Sequence, residues 1–391
     1  MQPTKLVVAG KNNIAVDVLQ NVIDSGMLAK EEIAVICNRT ETGKNGWQKS
    51  LRWYANKWGI AEISLEDAYG VENLLFLSLE YDRIIRPSRF NTERLYNIHF
   101  SALPKHKGMY TSVWPILERD QEAGVTLHRI DSGIDTGEII DSVLFSLNGE
   151  ETARDLYLQY ISYGTELILK WLPRLLSTKS VLSGRKQQGN FASYHAQAEF
   201  DFTQTTLNLN KTAVEICTQL RALSFREYQL PQVNNRQVVW GKITNISSQE
   251  KTGKMIWQDE YRGIFATVDY DVVLYWDMLE KALGLAAMGD VVALQQIPCL
   301  ECYVNQSVDA GFTPLMAACK GGHYDCFMLL ATLSADLAQT DWEGRSLLHY
   351  AHMGWRKQGE RRIMEYLMKC GMELDSENYD DPKIKSSQTL I

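Results

Sequence analysis

The sequence predicts a mixed α/β chain with three parts: a parallel-sheet core, a small α+β unit with an antiparallel sheet, and an all-α repeat region. Three observations carry that expectation. Short β-branched runs alternate with longer amphipathic stretches up to about residue 195, which calls for βαβ units with right-handed crossovers. Polar turn residues then separate short strands up to residue 277, the pattern of hairpins. From residue 278 a set of residues recurs at a fixed interval, the mark of stacked repeats. At about 150 residues per domain, 391 residues allow two or three domains, divided here at 1–195, 196–277 and 278–391.

In chain order, residues 6–9, 32–37 and 74–79 read as buried parallel strands, with amphipathic helices at 14–25, 47–57 and 65–71 between them. The first strand ends in Gly10-Lys11-Asn12-Asn13, which lacks the GxGxxG phosphate-binding turn, so a dinucleotide enzyme is disfavoured. Residues 151–177 form one or two helices, opened by Thr152 with Asp155 at capping-box spacing. A helix over 211–223 precedes strands at 237–246, 255–258, 263–268 and 272–276.

The carboxy-terminal repeat is Gly311-Phe312-Thr313-Pro314-Leu315 with Ala318 and Gly322-His323. It returns as Gly344-Arg345-Ser346-Leu347-Leu348 with Ala351. Leu329 and Leu330 have equivalents in Tyr366 and Leu367 that fall four residues late, and Gly289-Asp290 belongs to a degenerate earlier copy. This pattern resembles the ankyrin repeat, whose Thr-Pro-Leu turn starts a first helix. So short a stack is expected to lean on the preceding domain, and residues 375–391 are expected to be a polar tail.

Charge excludes some partners. Forty basic and forty-eight acidic residues give −8, against the clustered positive surface that nucleic acid requires. No apolar run reaches the roughly 18–20 residues of a membrane span, and the amino terminus lacks a signal-peptide core, so a cytoplasmic protein is expected. Seven scattered cysteines fit reduced thiols. Cys299 and Cys302 have metal-ligand spacing but lack a second pair, so no metal is expected.

The densest polar cluster in an apolar setting is Asn97-Ile98-His99-Phe100-Ser101-Ala102-Leu103-Pro104. In a strand, Asn97 and His99 face the same way while Ile98 enters the core, and such a pair could hold a carbonyl oxygen and move a proton. A lone histidine at a strand end is also a common structural feature. Further on lie Gly124-Val125-Thr126-Leu127-His128 and Asp131-Ser132-Gly133-Ile134-Asp135-Thr136-Gly137-Glu138-Ile139-Ile140. Gly133 and Gly137 let the backbone approach a ligand, and Asp135 could pair with His99.

Together these motifs resemble the catalytic core of the formyltransferases that use N10-formyltetrahydrofolate, a Rossmann-like fold, over roughly residues 1–185. The resemblance implies Asn97, His99 and Asp135 as the catalytic trio, and Tyr81, Asp82, Arg83, Ile85, Asp131, Gly133 and Ile134 as the folate pocket. For Tyr81 to Ile85 a buried strand end is an equal reading. Val7 to Ala15, Cys37-Asn38-Arg39 and Gly46 to Ser50 look like the nucleotide-sugar members of that family. Those members imply a dTDP-linked amino-dideoxyhexose, with a 3-amino-3,6-dideoxyhexose favoured, for surface-polysaccharide (O-antigen) sugars. Nine acids against eight bases over 199–276 argue against the tRNA members.

Lys11, Asn12, Trp47, Met109 and Tyr110 are the candidates for gripping the sugar nucleotide, because lysine offsets pyrophosphate charge and an aromatic ring stacks on a pyrimidine. For Trp47, simple packing of an amphipathic helix is the alternative. The small β unit matches one that commonly makes the dimer contact in the nucleotide-sugar members, so the resemblance implies a homodimer. Trp342 with Arg345 is a candidate second ligand site on the repeats, the alternative being that Trp342 and Trp355 pack against the β unit; the repeats could also bind protein. Three alternatives stay open: a 4-amino-4,6-dideoxyhexose substrate, a hydrolase releasing formate from the same folate, and an ankyrin adaptor with an inactive core.

Overall fold

The computed structural model describes residues 5–178 and 180–373, so the expected polar tail lies outside the described residues. Its central sheet has seven strands: β1 (Lys5–Gly10), β2 (Ile33–Cys37), β3 (Ala61–Glu62), β4 (Leu74–Leu79), β5 (Leu95–His99), β7 (Glu122–Arg129) and β8 (Ile139–Ser146). They lie in the order β3-β2-β1-β4-β5-β7-β8. The first five are parallel, as their apolar runs predict, and β7 and β8 add an antiparallel edge. A short pair, β6 (Lys107–Gly108) with β9 (Tyr194–His195), ties the loop after β5 to the segment after the long helix.

Strand β1 shows why these runs do not alternate in polarity. Leu6 and Val8 join a core with Ile14, Val18 and Leu19 of α1 (Asn12–Ser25). Val7 and Ala9 enter a second cluster on the other face, with Ile36. Leu51 of α2 (Leu51–Trp58) belongs to the first core, and Leu65 and Ala68 of α3 (Leu65–Tyr69) belong to the second. A parallel sheet covered on both faces needs apolar residues at every strand position. The helix expected over 47–57 begins only at Leu51, because the Ser50 hydroxyl accepts from the Trp53 amide and caps it there. Trp47 therefore lies in the preceding loop.

After the short α4 (Trp114–Leu117), residues 153–177 form a single helix, α5 (Ala153–Ser177), with the Thr152/Asp155 capping box in place. Helix α6 (Ala213–Leu223) follows, and then β10 (Gln232–Val233), β11 (Arg236–Ser247), β12 (Met255–Gln258), β13 (Arg262–Phe265) and β14 (Tyr270–Trp276), ordered β10-β11-β14-β13-β12. Asn234 and Asn235, both at positive φ, make the two-residue turn between β10 and β11.

The chain gathers into two compact units, not three: residues 1–257 with 264–274, and residues 258–263 with 275–391. The expected boundary near 195 does not separate units, because Ala222 and Phe225 sit in the core of the seven-stranded sheet and the Trp47 ring packs against Phe225 and Tyr228.

In the second unit, helices pair as α7 (Leu279–Met288) with α8 (Val291–Gln295), α9 (Pro314–Gly321) with α10 (Tyr324–Thr332), and α11 (Leu347–Gln358) with α12 (Arg362–Lys369). Thr313 and Ser346 each cap a first helix, accepting from the amides of Met316 and His349. The four-residue lag at Tyr366 and Leu367 has a simple cause: α11 has 12 residues where α9 has 8. Gly289, at φ 79°, ends α7, and the Asp290 side chain caps α8, as the degenerate copy requires. Among the described residues no helix is long and apolar enough to cross a membrane.

Candidate active site

The strand order reverses between β1 and β4, and in such sheets the loops at the carboxyl ends flanking the reversal form the ligand crevice. Two polar clusters lie at these ends. One belongs to β5, the other to β1 and β4.

At the end of β5, Ile98 is buried and Asn97 and His99 share the opposite face, as the alternation predicts. Strand β7 opposes them in register, with His128 beside Asn97 and Thr126 beside His99. The His128 Nδ1–H donates to the Arg129 carbonyl at 2.7 Å, so Nε2 accepts from the Asn97 amide at 3.0 Å. That bond fixes the amide and leaves its second N–H available. Thr126, fully buried, donates to the Ser101 carbonyl and accepts from the Leu103 amide, holding the loop that follows the strand. The Gly-Val-Thr-x-His motif is thus a scaffold for the residues of β5.

His99 donates from Nε2 to the His106 carbonyl at 2.9 Å, while its Nδ1 lies 3.5 Å from Asp135. Asp135 stands at a φ of 54°, accepts from the Gly108 amide at 3.0 Å, and lies 3.6 Å from His128 Nε2. Gln187 donates to the carbonyls of Asp135 and Gly137, which secures the loop. Burial alone would push the Asp135 carboxyl up, but His99, His128 and the Gly108 amide carry it well below the usual carboxylate range. Burial pushes the His99 imidazole down, with Asp135 only partly opposing it. Asp135 is the carboxylate of the pair, and His99 Nδ1, 3.5 Å from it, is the ring nitrogen that the His106 carbonyl leaves open. Such a base takes up a proton beside a fixed negative charge.

The second cluster centres on Glu80, a buried carboxyl at a φ of 60°. The Tyr157 hydroxyl donates to it at 2.9 Å, and the Asn12 amide donates to Glu80 at 3.2 Å and to Tyr157 at 2.8 Å. Asn38 donates to the Glu80 carbonyl at 2.9 Å. Burial pushes Glu80 up, and Lys11, Tyr157 and Asn12 oppose that without cancelling it. Trp47 packs its ring against Tyr157, Phe225 and Tyr228 at 5.4–5.8 Å, so the structure groups three of the expected sugar-nucleotide residues, Lys11, Asn12 and Trp47, around one carboxyl.

Met109 is half-exposed and the Tyr110 ring meets Phe202 at 4.7 Å. In the loop after β4, Asp82 accepts from Arg39 and Arg83 pairs with Glu66. Ile85 is buried in the second core cluster, and Tyr81 and Ile130 pack against that same cluster. Asp131 accepts from the Gly133 amide and the Thr136 hydroxyl, which makes it a turn former with its acceptor oxygen engaged. A Cβ at Gly133 would come within 2.1 Å of Thr136, and one at Gly137 within 1.8 Å of the Arg129 carbonyl, so neither position admits a side chain as the loop stands. Ile134 is 43% exposed. In the repeat unit, Arg345 pairs with Asp341 and Glu343, Tyr350 donates to Asp341, and Trp342 lies against Gly311.

Residues 68–172 match the formyl transferase family, and residues 283–378 match ankyrin repeats. WlaRD, a sugar 3N-formyl transferase solved with dTDP and 5-N-formyl-THF, is 38% identical, covering 71% of this chain and 98% of its own at a TM-score of 0.64. The chain belongs to the N-formyltransferase family. An N-formyltransferase from Helicobacter canadensis, solved with folinic acid and dTDP-3-aminofucose, is 39% identical to this formyltransferase. It covers 70% of the present chain and 100% of its own, with a TM-score of 0.64. The methionyl-tRNA formyltransferase of Coxiella burnetii is 27% identical over 231 residues, 56% of this chain and 72% of that enzyme.

Sequence reasoning did not single out Glu80, Tyr157 and Gln187 of this formyltransferase, and it treated His128 as motif only. A carboxylate placed directly after an apolar strand was a usable signal for Glu80. Tyr157 and Gln187 carried none, since each reaches the site from more than 50 residues away in the chain.

Proposed function

We propose that this formyltransferase moves a formyl group from N10-formyltetrahydrofolate to the amine of a dTDP-linked amino-dideoxyhexose, with a 3-amino-3,6-dideoxyhexose favoured. The observation that carries the reading is the 38–39% identity over essentially the full length of two solved enzymes, one a sugar 3N-formyl transferase and the other bound to dTDP-3-aminofucose. The methionyl-tRNA enzymes are more distant, at 24–29%.

The folate fits what this chain presents. The loop after β4 and the loop that carries Asp135 root in one apolar cluster through Tyr81, Ile85 and Ile130, and they show Ile84 (72% exposed) and Ile134 to solvent. Exposed apolar side chains on two anchored loops suit the faces of a flat heterocycle. When bound, the folate supplies a formyl carbon activated for attack by an amine. Asn97, held by His128, offers its second N–H to an oxygen gaining negative charge, an effect of about 3 kcal/mol for a well-placed donor. His99 Nδ1 accepts a proton from the attacking amine, and Asp135 stabilises the imidazolium that results. Lys11 supplies the local positive charge that a diphosphate needs in a chain of net charge −8.

A homodimer is part of this reading, supported by Ile246, Ile256 and Val268, three exposed apolar side chains in the β10–β14 region. A second nucleotide-sugar site at Trp342 and Arg345 is a separate proposal. A fall in nucleotide stoichiometry from two to one in Trp342→Ala supports it, and unchanged stoichiometry removes it. The main reading is tested by turnover with the formylated folate and purified dTDP-amino sugars. Preference for the 3-amino isomer by about tenfold or more is expected. Equal or better use of a 4-amino isomer, formate release without sugar, or no turnover on any amino sugar would overturn it.

A further inference from the structure

The carbonyl that holds His99 belongs to His106, and the side chain of His106 lies in a cluster that the transfer reaction does not use. Its Nε2 is 2.8 Å from Asp120, and its Nδ1 is 3.1 Å from His195 Nε2. His195 Nδ1 is in turn 3.3 Å from Glu199. Both imidazoles are buried, at 2% and 8% exposure, and the His195 ring stacks on Trp114 at 4.0 Å. Glu118 approaches His195 Nε2 at 3.8 Å. The β6–β9 pairing places Gly108 opposite His195, and the His106 amide donates to the Ser193 hydroxyl, so backbone contacts fix the two rings.

Hydrogen-bond accounting exposes the problem this cluster poses. A carboxylate only accepts, so Asp120 takes the Nε2–H of His106 and Glu199 takes the Nδ1–H of His195. The two inner nitrogens, 3.1 Å apart, then both present lone pairs. Facing lone pairs repel unless a cation joins them. Around them stand three carboxylates, Glu118, Asp120 and Glu199, and one ammonium, Lys105, which pairs with Glu118 and Asp120. With neutral imidazoles the cluster sums to −3 + 1 = −2. A proton on one ring is the alternative cation, and the two bridges differ in what they require of Glu118, which only a metal would draw in as a third ligand.

We propose that His106 Nδ1, His195 Nε2 and Glu118 Oε1 form a binding site for one zinc ion. The three atoms lie within 4.8 Å of one another. Ligand atoms about 2.0–2.1 Å from a tetrahedral zinc are roughly 3.3 Å apart, so the histidine nitrogens stand almost at that spacing, and only the exposed Glu118 has to close in. Asp120 and Glu199, on the outer nitrogens, occupy the place where carboxylates orient metal-binding histidines. The expectation of a metal-free chain rested on cysteine spacing and did not weigh histidines 89 residues apart. Zinc here clamps the loop whose His106 carbonyl holds His99 and whose Gly108 amide holds Asp135. Its role is positional, away from the reacting atoms.

The test uses the untagged full chain, stripped with chelator and carrying Cys299→Ser and Cys302→Ser to remove the other metal-ligand spacing. Cobalt(II) titration is expected to give one ion per chain with visible absorption of a four-coordinate site, displaced by zinc, and zinc is expected to raise the melting temperature. Glu118→Gln, a change at an exposed position, and His195→Gln should each weaken binding by about tenfold or more. No cobalt spectrum, the same spectrum and affinity in both variants, or stabilisation by acid but not by zinc would overturn the proposal, the last by showing that a proton bridges the pair.

Discussion

Asp135 and Glu80 are both partly buried acidic residues near the carboxyl ends of the same sheet, yet their surroundings push them in opposite directions. Asp135 faces two imidazoles and a backbone amide and is carried down; Glu80 meets a phenol, a carboxamide and one more distant ammonium and is pushed up. Burial acts on both. What separates them is the number and charge of the donors that face each carboxyl. In the proposed reaction Asp135 stabilises charge at the base, whereas Glu80 holds Asn12 and Tyr157 in place.

The largest expected effects test the β5 end. Asn97→Ala and His99→Asn should each lower kcat by at least about a hundredfold, read by steady-state kinetics, and near-native rates in both would remove the assignment. Asp135→Asn should also fall steeply, by about a hundredfold, whereas Glu80→Gln should keep kcat within about fivefold. Similar losses in the two amides would break the contrast between the carboxyls.

The pH profile sharpens it. His99 must be neutral to accept a proton, and its value lies below the ordinary 6.5, so kcat/KM should fall only as pH drops below that point. Asp135 opposes that depression, so Asp135→Asn should move the acid limb to still lower pH. For Glu80 the sign concerns stability. Its folded-state value is raised above the ordinary 4.5, so its contribution is fully present below pH 4.5 and is lost as pH rises through the raised value. Glu80→Gln should therefore gain melting temperature relative to the parent as pH increases from 4.5, and a constant difference would count against a raised Glu80. The smallest effect is expected in the ankyrin unit, where Trp342→Ala should leave kcat at saturating substrate within about twofold.

Much of this was legible in the residue order. Period-two alternation placed Asn97 and His99 on one face with Ile98 inward, and the recurrence of Gly-x-Thr/Ser marks where α9 and α11 begin. The start of α2 was not, because the apolar pattern runs through Trp47 while the Ser50 cap decides where helical hydrogen bonding begins. The boundary at 195 was not either, since a change in texture along the chain says nothing about Phe225 returning to the core of the first sheet.

The sequence by itself determined the element types, the repeat and which side chains share a face at the end of β5, because side-chain periodicity and short motifs are local properties. Only the tertiary structure decided in which direction each carboxyl is pushed, which side chains join Glu80, and that His106 meets His195. Each of these depends on burial and on partners brought from distant parts of the chain. A pKa or a pair of facing lone pairs is set by the field of neighbours, which residue order alone does not specify.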